Sequence, residues 1–411
     1  MQVYHFSENP YPQAWDADQR SLRVTLPNKH FDPNVGAELI NRYIDEWALC
    51  DELGLNIWVN EHHSTPTCVT ASTMLPMAML ARETKRARLL TLGVPIGVRH
   101  DPVLVAEEAA YVDLVSRGRL ELGLVKGYPT EIAPANVNPA SIGERFWEAH
   151  DLIVKALTTH DGAFNWEGNH FHFRHVNIWP RPFQQPCPPI WITAFSPHSV
   201  RPIADRGYVV AAGINARSGR SIFGAYRAHL ADLGRPAPAL DRFGYMVLVG
   251  VGDTEEEGQR FARQVKGYLD TTGIVHPSFG NPPGYQPVAA RVAEVRRGQQ
   301  GITGSAFQTD RDGNPVRYST ASIPELIKAG AVFAGTPDQV FEQIRELYDY
   351  VGGFGHLLAM MHGGVLSHED TTKSMTLFSK EVLPRLAELD KGGQTEELVK
   401  RFEESALVAQ T

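Results

Sequence analysis

The sequence predicts a closed (β/α)8 barrel, and three observations predict it. Eight short apolar segments rich in Val, Ile and Leu recur along the 411 residues, amphipathic helical stretches separate most of them, and no Pro- or Gly-rich linker divides the chain. Strands that alternate with helices imply a parallel sheet, because a parallel crossover needs a helix to carry the chain back. Eight such units are the number that closes a barrel. An open doubly wound sheet is the competing architecture. The absence of a G-x-G-x-x-G pattern after the first strand counts against it.

The strands expected, in order, are Gln2–Phe6, Asn56–Asn60, Arg88–Val94, Arg119–Val125, Ile190–Thr193, Tyr208–Ala211, Arg242–Val249 and His356–Met361. Each is short, apolar and bounded by polar or turn-forming residues, the pattern of a strand buried on both faces. Helical periodicity predicts helices at Gly36–Leu53, Thr70–Thr84, Pro102–Ser116, Ile142–Thr158, Pro197–Asp205, Ser218–Leu233, Thr254–Thr271, Thr336–Tyr350 and His368–Leu386. Two stretches break this rhythm. Asp161–Pro189, rich in aromatics, His and Pro, reads as a small β excursion followed by a loop. Thr272–Ala321, with PSFGNPPGYQP and TDRDGNP, reads as a lid. Loops this long in a compact domain are usually functional, and one following the seventh strand lies on the catalytic face. The expected organisation is one barrel domain over residues 1–390. It has insertions after strands four and seven (the lid at 272–321), an extended N-terminal segment and a C-terminal tail at 391–411.

Composition narrows the function. Hydrophobic residues at 43% and charged residues at 21% exclude a disordered chain, and a net charge of −8 disfavours a broad nucleic-acid surface. No apolar run reaches the roughly 18 residues of a membrane helix. The opening MQVYHFSENPYP lacks a basic region followed by an apolar one, so a soluble cytoplasmic protein is expected. Cys50, Cys68 and Cys187 are too few and too scattered for a disulfide framework or a tetrahedral metal site, and none has the context of a reactive thiolate.

A barrel builds its active site at the C-terminal ends of its strands. Those ends bring Ser7 and Glu8, Glu61-His62-His63, Arg99-His100, Val125-Lys126-Gly127, Phe195-Ser196-Pro197-His198-Ser199 and His362 to one mouth. A histidine at a strand end can exchange a proton near neutrality, although a structural histidine bonded to a carbonyl fits the same pattern. His62 and His63 are adjacent on an extended chain and point apart, so they do not share a metal. His170 and His172 alternate onto one face of a strand and are a conceivable metal pair, but they lie within the mid-chain excursion, where a half-buried hairpin is the plainer reading. Ser196 to Ser199 opens a helix directly after a strand. That start is either an ordinary N-cap or a phosphate seat, and Lys126 on the preceding strand supplies the positive charge a dianion needs.

These residues carry a resemblance to the flavin-dependent monooxygenases of the bacterial luciferase-like family. It runs over almost the whole chain. It includes EHH after the second strand, LGVPIGVRHDPVLVAEEAAYVDLVSRGRLELGLVKG, WEGNHFHFRHVNIWPRPFQQPCPPIWITAFSPHS, AVFAGTPDQVFEQIRELYDYVGGFGH and LFSKEVLPRL. The resemblance implies a two-component, dimeric barrel enzyme. Such an enzyme takes reduced FMN from a separate NAD(P)H:flavin reductase, forms a C4a-peroxyflavin with O2 and inserts one oxygen atom into an organic substrate. It implies that His62 is catalytic and that Lys126, Ser196 and Ser199 hold the flavin phosphate; relatives carry Arg where Lys126 stands, so the bidentate fork is lost here. It also implies that Gly93-Val94 occupies the place of a strained non-proline peptide against the flavin ring. Val125 stands where light-emitting relatives carry a cysteine, so bioluminescence is not expected. The Asn9–Phe31 segment is expected to cross the mouth and shape the substrate end. With Tyr4, Trp58, Phe195, Phe307 and Tyr285 nearby, an apolar or aromatic substrate is expected. A deazaflavin-dependent dehydrogenase or reductase on the same barrel, a non-catalytic partner subunit and a metal-dependent hydrolase are the alternatives. No metal site is assigned.

Overall fold

A computed structural model describes residues 1–286, 288, 292 and 307–389. The expected tail at 391–411 and the middle of the expected lid lie outside these residues. The strands are β1 (Gln2–Ser7), β2 (Asn56–Val59), β3 (Leu89–Pro95), β4 (Leu120–Val125), β5 (Phe164–Glu167), β6 (His172–Val176), β7 (Ile190–Thr193), β8 (Val209–Gly213), β9 (Phe243–Val251), β10 (Phe307–Thr309), β11 (Pro315–Arg317), β12 (Val332–Gly335) and β13 (His356–His362). Strands β1, β2, β3, β4, β7, β8, β9 and β13 pair in parallel and close into a ring, with β9 joined to β8 on one side and β13 on the other. These are the eight strands expected. The fold is a (β/α)8 barrel.

A ninth parallel strand, β12, was not expected. The first half of β9 pairs with β8 through Val210↔Phe243 to Gly213↔Met246, and its second half pairs with β12 through Val332↔Leu248 to Gly335↔Val251. One edge of β9 therefore serves two strands in turn. At four residues, directly before a capped helix, β12 has too little apolar sequence to stand out.

The helices begin and end where the chain chemistry dictates. In α1 (Pro33–Leu53), Asp32 accepts from the N–H of Asn34, Pro33 fills the first turn, and Gly54 at φ +70° ends the helix. After α2 (Met74–Glu83), α3 (Pro102–Ser116) repeats this start, with Asp101 accepting from Leu104. A one-turn helix, α4 (Pro129–Ile132), follows β4. Two expected helices are broken. Pro197–Asp205 is a 3-10 turn at Pro197–Ser199 followed by a separate short helix, Arg201–Asp205; Pro202 has no N–H to continue the first turn. Thr254–Thr271 is broken between Val265 and Gly267. The Asp161–Pro189 excursion contains the antiparallel β5–β6 hairpin. Its second strand starts at His172, so His170 sits in the turn and the two histidines do not share a strand face.

Side chains alternate across each barrel strand, as a pleated strand requires. Val3, Ile57, Val59 and Leu89 join the core between strands and helices, whereas Tyr4, Phe6, Trp58, Leu90 and Leu92 fill the barrel interior. The interior is layered. Tyr4 donates to Glu121 Oε2 at 3.0 Å and packs against Trp191 and His356, near the N-terminal ends of β3, β4 and β13. It therefore plugs the bottom of the barrel and does not line the mouth as expected. Phe6 stacks on Trp58 with centroids 3.9 Å apart, and the Trp58 indole N–H donates to the Leu92 carbonyl, forming the layer above.

Candidate active site

The end of β2 turns two histidines into two different networks. His63 Nε2 lies 2.9 Å from Glu61 Oε1, and the same carboxylate is gripped by Arg99 and accepts from the N–H of Thr73. The hydrogen bond to Glu61 draws the His63 imidazole upward in pKa against its burial. His62 turns the other way: its Nδ1 lies 3.0 Å from Glu131 Oε1, its Nε2 lies 3.9 Å from Glu8 Oε2, and its side chain keeps 18% of its exposure. Its backbone N–H donates to the Thr70 carbonyl at 3.0 Å, which fixes the turn.

Glu131 went unnoticed in the sequence. It sits in α4, where its Oε2 accepts from the N–H of Tyr128 at 2.7 Å as half of a capping box. Burial alone would raise its pKa. The hydrogen bond and charge of His62, together with the Tyr128 N–H, outweigh this and hold it below the usual carboxylate range. Glu131 is therefore an acceptor, so His62 presents Nδ1–H to it and leaves Nε2 free to exchange a proton. The signal was available in Tyr128-Pro129-Thr130-Glu131, a proline at the first helical position with a glutamate two residues on, directly after a barrel strand. Glu8, 1% exposed, accepts from Asn60 Nδ2 at 2.9 Å, and burial beside it pushes the Tyr268 phenol up. Behind Glu131 lies a cavity of about 370 Å³ whose lining includes His63, Arg99, His100 and Glu108.

Lys126 follows β4 directly. Its Nζ lies 3.8 Å from the ring centroid of Tyr285, whose hydroxyl donates to the Gly127 carbonyl at 3.1 Å. Among the described residues no carboxylate lies within ion-pair reach of Lys126, and burial lowers its pKa. The neighbouring strand β7 pairs with β4 through Leu124↔Ile192, so the turn carrying Ser196 and Ser199 leaves the adjacent strand at the same end of the ring as Lys126. Ser199 Oγ donates to the Ser196 carbonyl at 2.8 Å, and Ser196 makes no side-chain cap, so the Ser196 hydroxyl is not spent on the turn. Phe195 beside them is 89% exposed.

The non-proline peptide expected at the end of the third strand is placed differently. The cis peptide joins Leu92 to Gly93, one bond before the Gly93-Val94 bond expected. Val94 is buried in the outer core between strands and helices, so only its backbone faces the barrel, whereas Val125 packs against the interior cluster. A Cβ on Gly93 would fall 2.3 Å from Val125 Cγ1, so this close approach admits only glycine. Cys50 and Cys68 are buried and burial raises their thiols; the Cys187 thiol is pushed up to about 11. Phe307, expected near the pocket, belongs to β10, and its side chain lies outside the described residues.

Residues 22–353 match the luciferase-like monooxygenase family. The chain is 32% identical to an uncharacterised protein of Sinorhizobium fredii over 50% of its own length and 63% of that protein, less than two thirds of the relative. It is 27% identical to the flavin-dependent trigonelline monooxygenase oxygenase component of Acinetobacter baylyi, over 59% of this chain and 68% of the relative. The oxygenating constituent of 3,6-diketocamphane monooxygenase from Pseudomonas putida, solved in complex with FMN, superposes with a TM-score of 0.66 at 19% identity, covering 93% of this chain and 98% of that one; at this identity the likeness shows the fold. The chain belongs to the luciferase-like monooxygenase family of flavin-dependent enzymes.

Proposed function

We propose that this chain is the oxygenase component of a two-component monooxygenase, which takes reduced FMN from a separate NAD(P)H:flavin reductase and uses O2 to place one oxygen atom in an organic substrate. The observation that carries the reading is the Glu131–His62 pair at the mouth of a barrel of this family. The description of the trigonelline enzyme as an oxygenase component supports the reductase partner.

The residues fit FMN. Lys126 offers a cation without a carboxylate partner among the described residues, and the Ser196–Ser199 turn beside it offers hydroxyl and backbone donors for a phosphate. Val125 and the backbone at Gly93-Val94 pack closely and would give an apolar wall for a flat ring to lie against. When bound, reduced FMN supplies the electrons that divide O2 between product and water. His62 would hold or deliver a proton at Nε2, and Glu131 would keep the imidazole in that tautomer. The segment after β9 would exclude water: Ile274 and His276 are bonded to Leu22 and Ser21, and Tyr285 covers Lys126.

The active form would be a homodimer. Leu75 and Met79 on α2, and Leu104, Tyr111 and Leu114 on α3, are 38–66% exposed and form one apolar stripe on each of two helices that pack side by side. The test of the function is an anaerobic titration with reduced FMN, oxidised FMN and the deazaflavin, followed by admission of O2 while flavin reoxidation and hydrogen peroxide are measured. Preferential uptake of reduced FMN supports the reading. Preferential uptake of the deazaflavin, with no reaction with O2, would replace it with a dehydrogenase.

A further inference from the structure

Arg23 is 1% exposed, and neither its Nε nor its Nη1 has a hydrogen-bond partner. Among the described residues its side chain makes no ion pair. The guanidinium carbon instead lies 5.0 Å from the centroid of Tyr128. A buried guanidinium is ordinarily saturated. Even the half-buried Arg119 in this same chain spends its nitrogens on Ser116, Thr84, Ala87 and Ala81 through five hydrogen bonds of 2.7–3.1 Å. The nearby carboxylates do not hydrogen-bond Arg23. Glu8 accepts from Asn60, and Glu131 is held by His62 and the Tyr128 N–H.

The backbone is committed to this placement. The Leu22 N–H donates to Ile274 O at 2.9 Å and the Val24 N–H to Ser64 O at 2.8 Å, two residues beyond His62. Val24 is held at φ +71°, a conformation that a β-branched residue adopts only when its surroundings over-determine it. Tyr128 thus neighbours both Arg23 and His62, whose ring centroid is 6.2 Å from its own.

We propose that the organic substrate is a carboxylic acid, with its carboxylate seated on the Arg23 fork, its body against Tyr128 and its oxidisable carbon toward His62. A planar guanidinium recognises a carboxylate through two parallel hydrogen bonds, from Nη2 together with either Nε or Nη1, which would satisfy one of the two buried donors the protein leaves open. The word substrate rests on the monooxygenase reading; the anion site does not.

Calorimetric titration of the flavin-free full-length protein with benzoate and with its uncharged isostere benzamide tests this. Benzoate should bind the wild type and lose roughly 10- to 100-fold in affinity in Arg23→Met, with Arg23→Lys intermediate. Benzamide should bind weakly and equally to all three. Because two buried donors without hydrogen-bond partners are removed, Arg23→Met should melt at or above the wild-type temperature, which separates a lost site from a lost fold. Equal benzoate affinity in wild type and Arg23→Met, equal binding of benzoate and benzamide, or no benzoate binding to the wild type would each overturn the proposal. So would weaker binding of reduced FMN in Arg23→Met, or displacement of benzoate by equimolar inorganic phosphate, since either would make Arg23 a phosphate ligand. Benzoate binding that depends on Arg23 in a protein that takes up no reduced FMN would sink the monooxygenase reading and leave the anion site standing.

Discussion

Glu131 Oε1 lies 3.0 Å from Nδ1 of His62, although the two residues come from different barrel units, 69 positions apart. The carboxylate is buried and held below its ordinary range, so it fixes the imidazole with Nε2 turned away from it. His62→Ala should leave binding of reduced FMN largely intact while lowering product yield and raising hydrogen peroxide release. Glu131→Gln should lower turnover by about 10- to 100-fold, the usual effect of removing the group that orients a histidine. It should also move the pH–rate profile, which a purely structural role would not do. Unchanged coupling in His62→Ala, or an unshifted profile in Glu131→Gln, would remove the pair from the chemistry.

Lys126 is the cation assigned to the flavin phosphate, and burial already makes its charge costly to keep. Lys126→Ala should weaken reduced FMN by about 10- to 100-fold, the worth of one charge-assisted contact. Lys126→Arg should bind at least as tightly, because it keeps the charge and adds a fork. Anaerobic fluorescence titration reads both. Equal affinity in wild type and Lys126→Ala would place the phosphate elsewhere.

The barrel was legible because its signal is periodic and local. Asp101-Pro102 starts a helix and Leu89–Pro95 is a doubly buried strand wherever they occur. The positions of His62 and Lys126 were legible because strand ends in a barrel face one mouth. Glu131 and Arg23 were not, because their roles arise from long-range closure. Arg23 gains its meaning from what fails to reach it, and no spacing along the chain encodes an absent partner. The irregular register between Thr91 and Val94 puts the Val94 side chain outside the barrel, and a pleat counted along the sequence misses such a shift.

A second buried charge cluster, between α1 and the end of β13, sets the acid limit of the fold. Glu46 on α1 is fully buried, with Arg42 Nε at 2.7 Å, His362 Nδ1 at 2.8 Å and His368 Nδ1 at 2.9 Å from its oxygens. Burial would raise its pKa, but His362 and Arg42 prevail and hold it at about 2. Its folded value is depressed, so its contribution is complete above the ordinary carboxylate range and is lost as pH falls toward 2. The nearby His5, with both ring nitrogens unpartnered and its pKa lowered by burial to about 4, acts in the same direction: below pH 6.5 the unfolded chain takes a proton that the fold refuses. Glu46→Ala should cost about 3–5 kcal/mol at neutral pH, as for any buried ion pair robbed of one partner. The deficit should shrink on acidification. Urea unfolding at pH 7 and pH 4 checks this; a deficit that is small at pH 7, or constant with pH, would show that the cluster is not holding α1.

The apolar stripes on α2 and α3 fix the last expectation. Leu75 and Met79 are one helical turn apart, and Leu104, Tyr111 and Leu114 recur at spacings of seven and three, so each set lies on one face. All five are exposed, with Leu75 at 66% and Tyr111 at 59%. The interior sides of the same helices carry Met77, Leu80, Val105 and Ala109, which are buried, so the outer stripes are not needed to hold the barrel together. A second copy offers the same two stripes and can cover them by two-fold symmetry. Leu75→Glu with Tyr111→Glu should therefore raise the dimer dissociation constant by roughly 100-fold or more, since two carboxylates would have to be desolvated at the centre of the interface. Sedimentation velocity across a concentration series reads this directly. The fold and thermal midpoint of the dilute protein should be unchanged, and a wild type that sediments as a monomer at every concentration would refute the assignment of this face.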